Sequence, residues 1–282
     1  MEYINVKNLK YTAGGKYILN GVTFSIEDHD RVAVLGSNGA GKTTLFENIL
    51  GVSKPNDGEV IFNKNLRKYN HIAAIWDSFD IFPYFKANEV VKYFSLMYGC
   101  KEPDKDIISL LGIEQFGNKY MKLLSKGEKK RVAIAATMQS HPLLLFMDEL
   151  TSELDNQTQN DVWEMLINNG VTVVFITHKW DEAKKYANKY LLLSNGTNLA
   201  PVNTAEELMS RMPYDKKLIT DSRFAGTDIN DVFSYTEGDK TTYLFSSSIE
   251  DMLFKTINTN NFSIMPADIY DVYRYLSIHP QK

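Results

Sequence analysis

The run Gly36-Ser-Asn-Gly-Ala-Gly-Lys42-Thr43 fits the pattern G-x-x-x-x-G-K-[ST], whose residue types can hold a chain of phosphates. Glycines let the main chain approach a ligand that a Cβ would keep away. Backbone N–H groups of such a loop, and of a helix starting after it, point at phosphate oxygens. Lys42 adds a mobile positive charge for the β and γ phosphates, and the Thr43 hydroxyl can face Mg²⁺. The candidate ATP-binding positions are thus Gly36, Ser37, Asn38, Gly39, Ala40, Gly41, Lys42, Thr43 and Thr44.

A second group of residues supplies the acids. Leu144-Leu-Phe-Met-Asp148-Glu149 is an apolar strand pattern ending in two carboxylates. In open α/β sheets ligands sit at the C-terminal ends of strands, so both carboxylates should face the phosphates. Asp148 would hold Mg²⁺ through water, and Glu149 would polarise the water that attacks the γ-phosphate. Taken alone the pair could be a solvated acidic loop; beside a phosphate loop that reading loses its force.

These groups need a scaffold, and the chain is patterned for one. Arg31 to Leu35 reads as a short buried strand, Gly36 to Gly41 as the loop, and KTTLFENIL as a helix stopped by Gly51. Leu143 to Met147 leads to a helix from about Gln157, and Val171 to Thr177 to a helix near Lys179. Repeated β-then-α units imply a parallel sheet covered by helices. Residues 3 to 30 alternate apolar and polar positions around Gly14, Gly15, Asn20 and Gly21, which predicts short antiparallel strands. Residues 86 to 141 carry helical spacing, as at Val90, Val91, Phe94 and Met97. The pattern breaks across NGTNLAPVN, and Thr204 with Glu207 forms a capping box for a new helix. From about 217 the order reads strand, hairpin near Gly238, helix, strand, then a last helix from Ala267 to Ser277. Two domains follow, 1–204 and 205–282.

Composition narrows the function. At 282 residues and 44% apolar the chain can bury a full core, and a net charge of −4 gives no basic field for nucleic acid. Cys100 is the single cysteine, so no internal disulfide forms and a reducing compartment is expected. The start, MEYINVKNLK, lacks the apolar core of a signal peptide, and no stretch has the 18 or so apolar residues of a membrane helix. The expectation is a chain that does not span a bilayer alone.

The stretch LSKGEKKRVAIAATMQSHPLLLFMDELTSELD, opening with Leu124-Ser125-Lys126-Gly127-Glu128, resembles the ABC ATPases, whose hallmark here is close to LSGGQ. The resemblance covers residues 1 to about 200 and implies a P-loop NTPase of ABC type. It implies that Ser125 and Gly127, with Glu128 beside them, bind the γ-phosphate of ATP held by a second copy. Asp155 would lie in a loop between the two sites. Lys126 and Glu128 depart from the usual glycine and glutamine but leave Ser125 and Gly127 in place. His178 matches the histidine that contacts the γ-phosphate and is assigned with Glu149 as catalytic; a lone histidine would otherwise read as structural. Tyr11 matches the adenine-stacking aromatic, with Tyr17 as its competitor. Asp77 stands where the family has a glutamine that meets Mg²⁺, and no glutamine lies between 52 and 114. A carboxylate there could reach Mg²⁺ through water, giving Thr43, Asp77 and Asp148 as the metal set.

The loop from Ser78 to Ala87, with Phe79, Phe82, Tyr84 and Phe85, reads as a docking surface or as ordinary core aromatics. Residues 205–282 match the family core nowhere. Their layout, closing on IMPADIYDVYRYLSI, looks like the appendage of ATPases from bacterial exporters of drugs, lantibiotics and toxic peptides such as phenol-soluble modulins; a stability or dimer-contact module is the plainer reading.

The resemblance therefore implies a cytoplasmic ATPase on the inner face of the membrane, using ATP and Mg²⁺. It would pair head to tail with a second copy and dock on separate permease subunits to power export. A soluble ABC ATPase is the rival. Translation factors of that kind carry two cassettes and repair ATPases insert a long coiled coil, whereas this chain has one cassette and about 80 residues between phosphate loop and signature. A nucleotide-gated binding protein without turnover is a third reading, which Glu149 opposes.

Overall fold

The computed structural model describes residues 1–66, 70–149, 153–221, 231–250 and 262–279. Contacts divide the chain into two compact units, Met1–Thr197 and Asn198–Lys282. The sequence reading put the boundary at 204/205, where a helix starts; that helix is the first of the second unit and not its edge.

Two sheets build the first unit. Strands β1 (Glu2–Ala13) and β2 (Lys16–Glu27) form an antiparallel hairpin, and β4 (Asp57–Phe62) pairs on the other side of β1. Alternation explains them: Ile4, Val6 and Leu9 are buried while Glu2, Lys7 and Asn8 are exposed. The second sheet contains β3 (Arg31–Leu35), β5 (Ile72–Ile75), β6 (Leu144–Asp148), β7 (Thr172–Ile176), β8 (Lys189–Ser194) and the short β9 (Thr197–Asn198). Its order is β5-β6-β7-β3-β8-β9, and the pairs from β5 through β8 are parallel. Every residue of β6 and β7 is buried, as suits strands covered on both faces.

Helices follow the strands as the crossover rule requires. α1 (Lys42–Ile49) follows β3, α5 (Asn156–Asn168) joins β6 to β7, and α6 (Trp180–Tyr186) joins β7 to β8. Phe46 of α1 meets Phe146 of β6 edge to face at 5.0 Å, so the helix after the phosphate loop is packed on the strand that carries the acids. Buried Trp163 of α5 lies between Phe175 at 4.8 Å and Tyr186 at 4.6 Å. Residues 86–141 hold α2 (Ala87–Met97), α3 (Lys105–Leu110) and α4 (Lys126–Met138).

In the second unit, α7 (Ala205–Met209) is capped by Thr204 and Glu207 as the sequence predicts. An antiparallel sheet follows in the order β11-β12-β10-β13, from β10 (Lys216–Thr220), β11 (Phe233–Glu237), β12 (Lys240–Phe245) and β13 (Phe262–Pro266). The hairpin turns at Gly238, and α8 (Ile269–Ile278) closes the unit. The sequence also expects a helix between the hairpin and the last strand, a stretch of which residues 251–261 lie outside the described residues. Lys217 reaches Asp271 at 2.8 Å and Asp268 at 3.0 Å, and the Tyr235 hydroxyl donates to Asp271 at 2.8 Å. Burial and the Asp271 charge push the Tyr235 hydroxyl pKa well up, so that hydroxyl stays a donor.

Candidate functional site

The phosphate loop runs from the end of β3 to the start of α1, pressed against the sheet. A Cβ at Gly36 would lie 2.2 Å from the Leu193 carbonyl oxygen of β8, so no other residue fits there without moving a strand. Lys42, the first residue of α1, is buried, and its Nζ donates to the carbonyls of Gly36 at 2.9 Å and Ser37 at 3.0 Å. Ala40, also buried, donates its N–H to the Ser37 carbonyl at 3.1 Å, which curls the loop around that ammonium. Burial lowers the Lys42 pKa against the opposing pull of Glu149 and Asp148. No acidic residue lies in the first turn of α1, leaving its N–H groups and positive dipole end for an anion.

Strand β6 delivers the acids. Thr43 Oγ1 donates to Asp148 Oδ2 at 3.0 Å, joining loop and strand end. Burial raises the Asp148 pKa; the Thr43 hydrogen bond opposes this, while the charges of Glu149 and Asp77 add to it. Glu149 adopts a left-handed backbone, φ 49°, and donates its N–H to the Ile176 carbonyl at 3.1 Å. That turn out of the strand sends its carboxylate to His178, with Oε1 2.7 Å from Nε2. Buried Glu182 in turn holds the loop before His178, accepting from Thr177 Oγ1 at 2.6 Å and from Gln159 Nε2 at 3.0 Å.

These pieces converge. Asn38, Gly39, Gly41, Lys42, Thr43, Thr44, Glu149 and His178 line one depression of about 440 Å³, with Ile18 and Ile176 as its apolar wall. The sequence reading did not name Ile18, Ile176 or Glu182. Strand pairing with β3 brings Ile176 to the loop and close packing of the Ile18 main chain on Gly41 brings Ile18, while Glu182 carried a weak signal, one acid in a helix that opens with Trp180-Asp181.

Other expected residues lie elsewhere. Tyr11 is half-buried on β1 opposite Leu19, while Tyr17 is 62% exposed; neither lines the depression. Tyr11→Ala is expected to weaken ATP binding and spare turnover, because aromatic stacking on a base contributes about 1–3 kcal/mol. A nucleotide titration decides it: the same loss in Tyr17→Ala, and none in Tyr11→Ala, would transfer the role.

Ser125 caps α4, accepting from Glu128 N at 3.2 Å, and Glu128 Oε2 accepts from Ser125 N at 2.8 Å. A Cβ on Gly127 would meet the Glu153 carbonyl oxygen at 2.8 Å, so glycine there is enforced from within the chain. Asp155 caps α5, accepting from Thr158 N at 2.9 Å, and also pairs with Arg131 at 2.5 Å. The Thr158 hydrogen bonds, with Arg131, hold its pKa down at about 2. None of Ser125, Gly127, Glu128 and Asp155 lines the Lys42 depression.

Asp77 does not line it either; its Oδ1 accepts from Lys130 Nζ at 2.9 Å, in a separate cavity of about 300 Å³. Of the aromatics, Tyr84 is 72% and Phe85 46% exposed, whereas Phe79 and Phe82 are half-buried and pack against Phe94 and Tyr93 of α2. No described helix is long and apolar enough to cross a membrane.

A phosphate loop at the head of a helix, an aspartate on its threonine and a glutamate paired to a histidine define a P-loop site suited to a chain of phosphates. Comparison with known proteins narrows the class. The ABC transporter family matches residues 19–152. An energy-coupling factor transporter ATP-binding protein of Methanoculleus marisnigri is 31% identical over 270 residues, 85% of this chain and 96% of that protein. A spermidine/putrescine import ATP-binding protein of Mycoplasma capricolum is 29% identical over 225 residues, 73% of this chain but 62% of that protein. A solved ATP-binding subunit of an ABC transporter superposes with a TM-score of 0.68 at 23% identity, covering 74% of this chain and 92% of that one. The chain belongs to the ABC transporter family and has its P-loop fold.

Proposed function

We propose that this chain binds and hydrolyses ATP to drive an ABC transporter, working as an ATP-sandwich pair of two copies on separate membrane subunits. The observation that carries it is the Glu149–His178 pair at 2.7 Å in the depression that holds Lys42, with Ser125 and Gly127 outside it. Lys42 and the N–H groups of the loop bind the β and γ phosphates. Glu149 accepts the proton of the attacking water, and His178 orients that carboxylate beside the γ-phosphate. Thr43 and Asp148 are hard oxygen donors in contact at 3.0 Å, a set that suits Mg²⁺ completed by water and phosphate. When bound, that ion would neutralise phosphate charge.

Ser125 and Gly127 have no phosphate to meet within their own chain, so they serve the site of the second copy. The exposed rings of Tyr84 and Phe85 suit docking on a membrane subunit, which would place the chain on the cytoplasmic face of the membrane. Export of peptides or drugs has the layout of the second unit in its favour; import has the name of the spermidine/putrescine relative.

Mixing two inactive variants tests the shared site. Lys42→Ala and Ser125→Arg should each abolish turnover, and their mixture should regain it, because the mixed pair contains one site with wild-type Lys42 and wild-type Ser125. ATPase rates that stay at background in the mixture would overturn the shared site.

A further inference from the structure

Lys130 has no role in the site described so far, yet it touches it. The residue stands in the second turn of α4, the helix that Ser125 caps, and is only 5% exposed. A lysine is almost never buried that far unless its charge is met. Its Nζ donates to Asp77 Oδ1 at 2.9 Å and to the main-chain oxygen of Glu149 at 3.3 Å. One ammonium therefore spans the loop after β5, the end of β6 and the signature helix.

Stability is a poor reason for this arrangement. The Asp77 side chain is 67% exposed, and ion pairs with so much water around one partner contribute little. Position is the better one. Glu149 sits in the left-handed region, which a residue with a Cβ rarely adopts. Its main chain is held on both sides: the N–H by the Ile176 carbonyl at 3.1 Å, the C=O by Lys130. Held so, the carboxylate meets His178 at 2.7 Å.

We infer that Lys130 is a positioning residue for ATP hydrolysis: it pins the main chain of Glu149, with Asp77 as the counter-ion that keeps the ammonium in place. The geometry also couples the signature helix to Glu149, since a shift of α4 carries Lys130 with it. This inference rests on the ATPase reading above.

The test is single-turnover hydrolysis by the full chain at saturating ATP, with affinity measured separately by titrating a fluorescent ATP analogue. Lys130→Met keeps a straight stem and removes the donor. It should lower the rate about 10- to 100-fold, the scale of a small misplacement of a catalytic group, with ATP affinity unchanged. In a Glu149→Gln background the same substitution should cause no further loss, because Lys130 works through Glu149. An equal fall in both backgrounds, or a loss of affinity that accounts for the lower rate, would overturn the positioning role. If Lys130→Met does not fold, by circular dichroism, Lys130→Gln carries the same comparison with a polar head in the buried site. A wild-type chain that hydrolyses no ATP would overturn the ATPase reading; an active wild type whose rate Lys130→Met leaves intact would overturn only the role of Lys130.

Discussion

Glu149→Gln is expected to slow ATP hydrolysis by about 10² to 10⁴-fold while leaving ATP bound, because it removes a positioned general base and little else. Glutamine keeps the size of the side chain and can still hydrogen-bond His178, which lies 2.7 Å from the present carboxylate. Lys42, the loop N–H groups and Thr43 are untouched, so affinity should hold. Uncleaved ATP then acts as a bridge between Lys42 of one copy and Ser125 of the other. A ligand that binds the pair better than the single chain stabilises the pair by mass action. Size-exclusion chromatography with light scattering should show a dimer with ATP and a monomer without it. Hydrolysis at the wild-type rate would sink the catalytic assignment of Glu149. A variant that binds ATP yet stays monomeric would mean that pairing needs the membrane subunits.

Lys42→Ala is expected to weaken ATP binding about 10- to 150-fold, the equivalent of a charge-assisted hydrogen bond of roughly 1.5–3 kcal/mol. Lys42 already donates to the carbonyls of Gly36 and Ser37, and a bound phosphate would draw the ammonium away from them. Alanine therefore removes the phosphate contact and also empties the space that the buried stem fills. Comparing Lys42→Met, which refills the buried stem, separates the two effects: both variants should lose affinity alike, while alanine alone should also lower the melting temperature. Wild-type affinity in either, measured by nucleotide titration, would contradict the role of Lys42.

Much of the site was legible because its chemistry is local. The phosphate loop needs glycines, a lysine and a threonine at fixed spacing, since the turn from strand to helix must bring all of them to one anion. Asp148 and Glu149 were legible for a related reason: the apolar run Leu144 to Met147 leaves only the strand's end for a charge. The antiparallel hairpin of β1 and β2 followed from alternation around Gly14 and Gly15, although the pairing of β4 with β1 did not, since nothing near Asp57 marks its distant partner.

The sequence by itself thus determined the types of catalytic and phosphate-binding groups and the elements bearing them, because spacing along the chain is set by covalent geometry. Which groups meet was decided by tertiary structure. Glu149 reaches His178 because β6 and β7 are neighbours in a parallel sheet and one residue turns left-handed at its edge. Ile18 joins the phosphate loop although it belongs to another sheet. Asp77 pairs with Lys130, 53 residues away, because α4 buries that lysine beside the loop. Contacts of this kind depend on strand order and helix packing, where a buried charge must find its partner across the fold, and no local pattern records which partner that is.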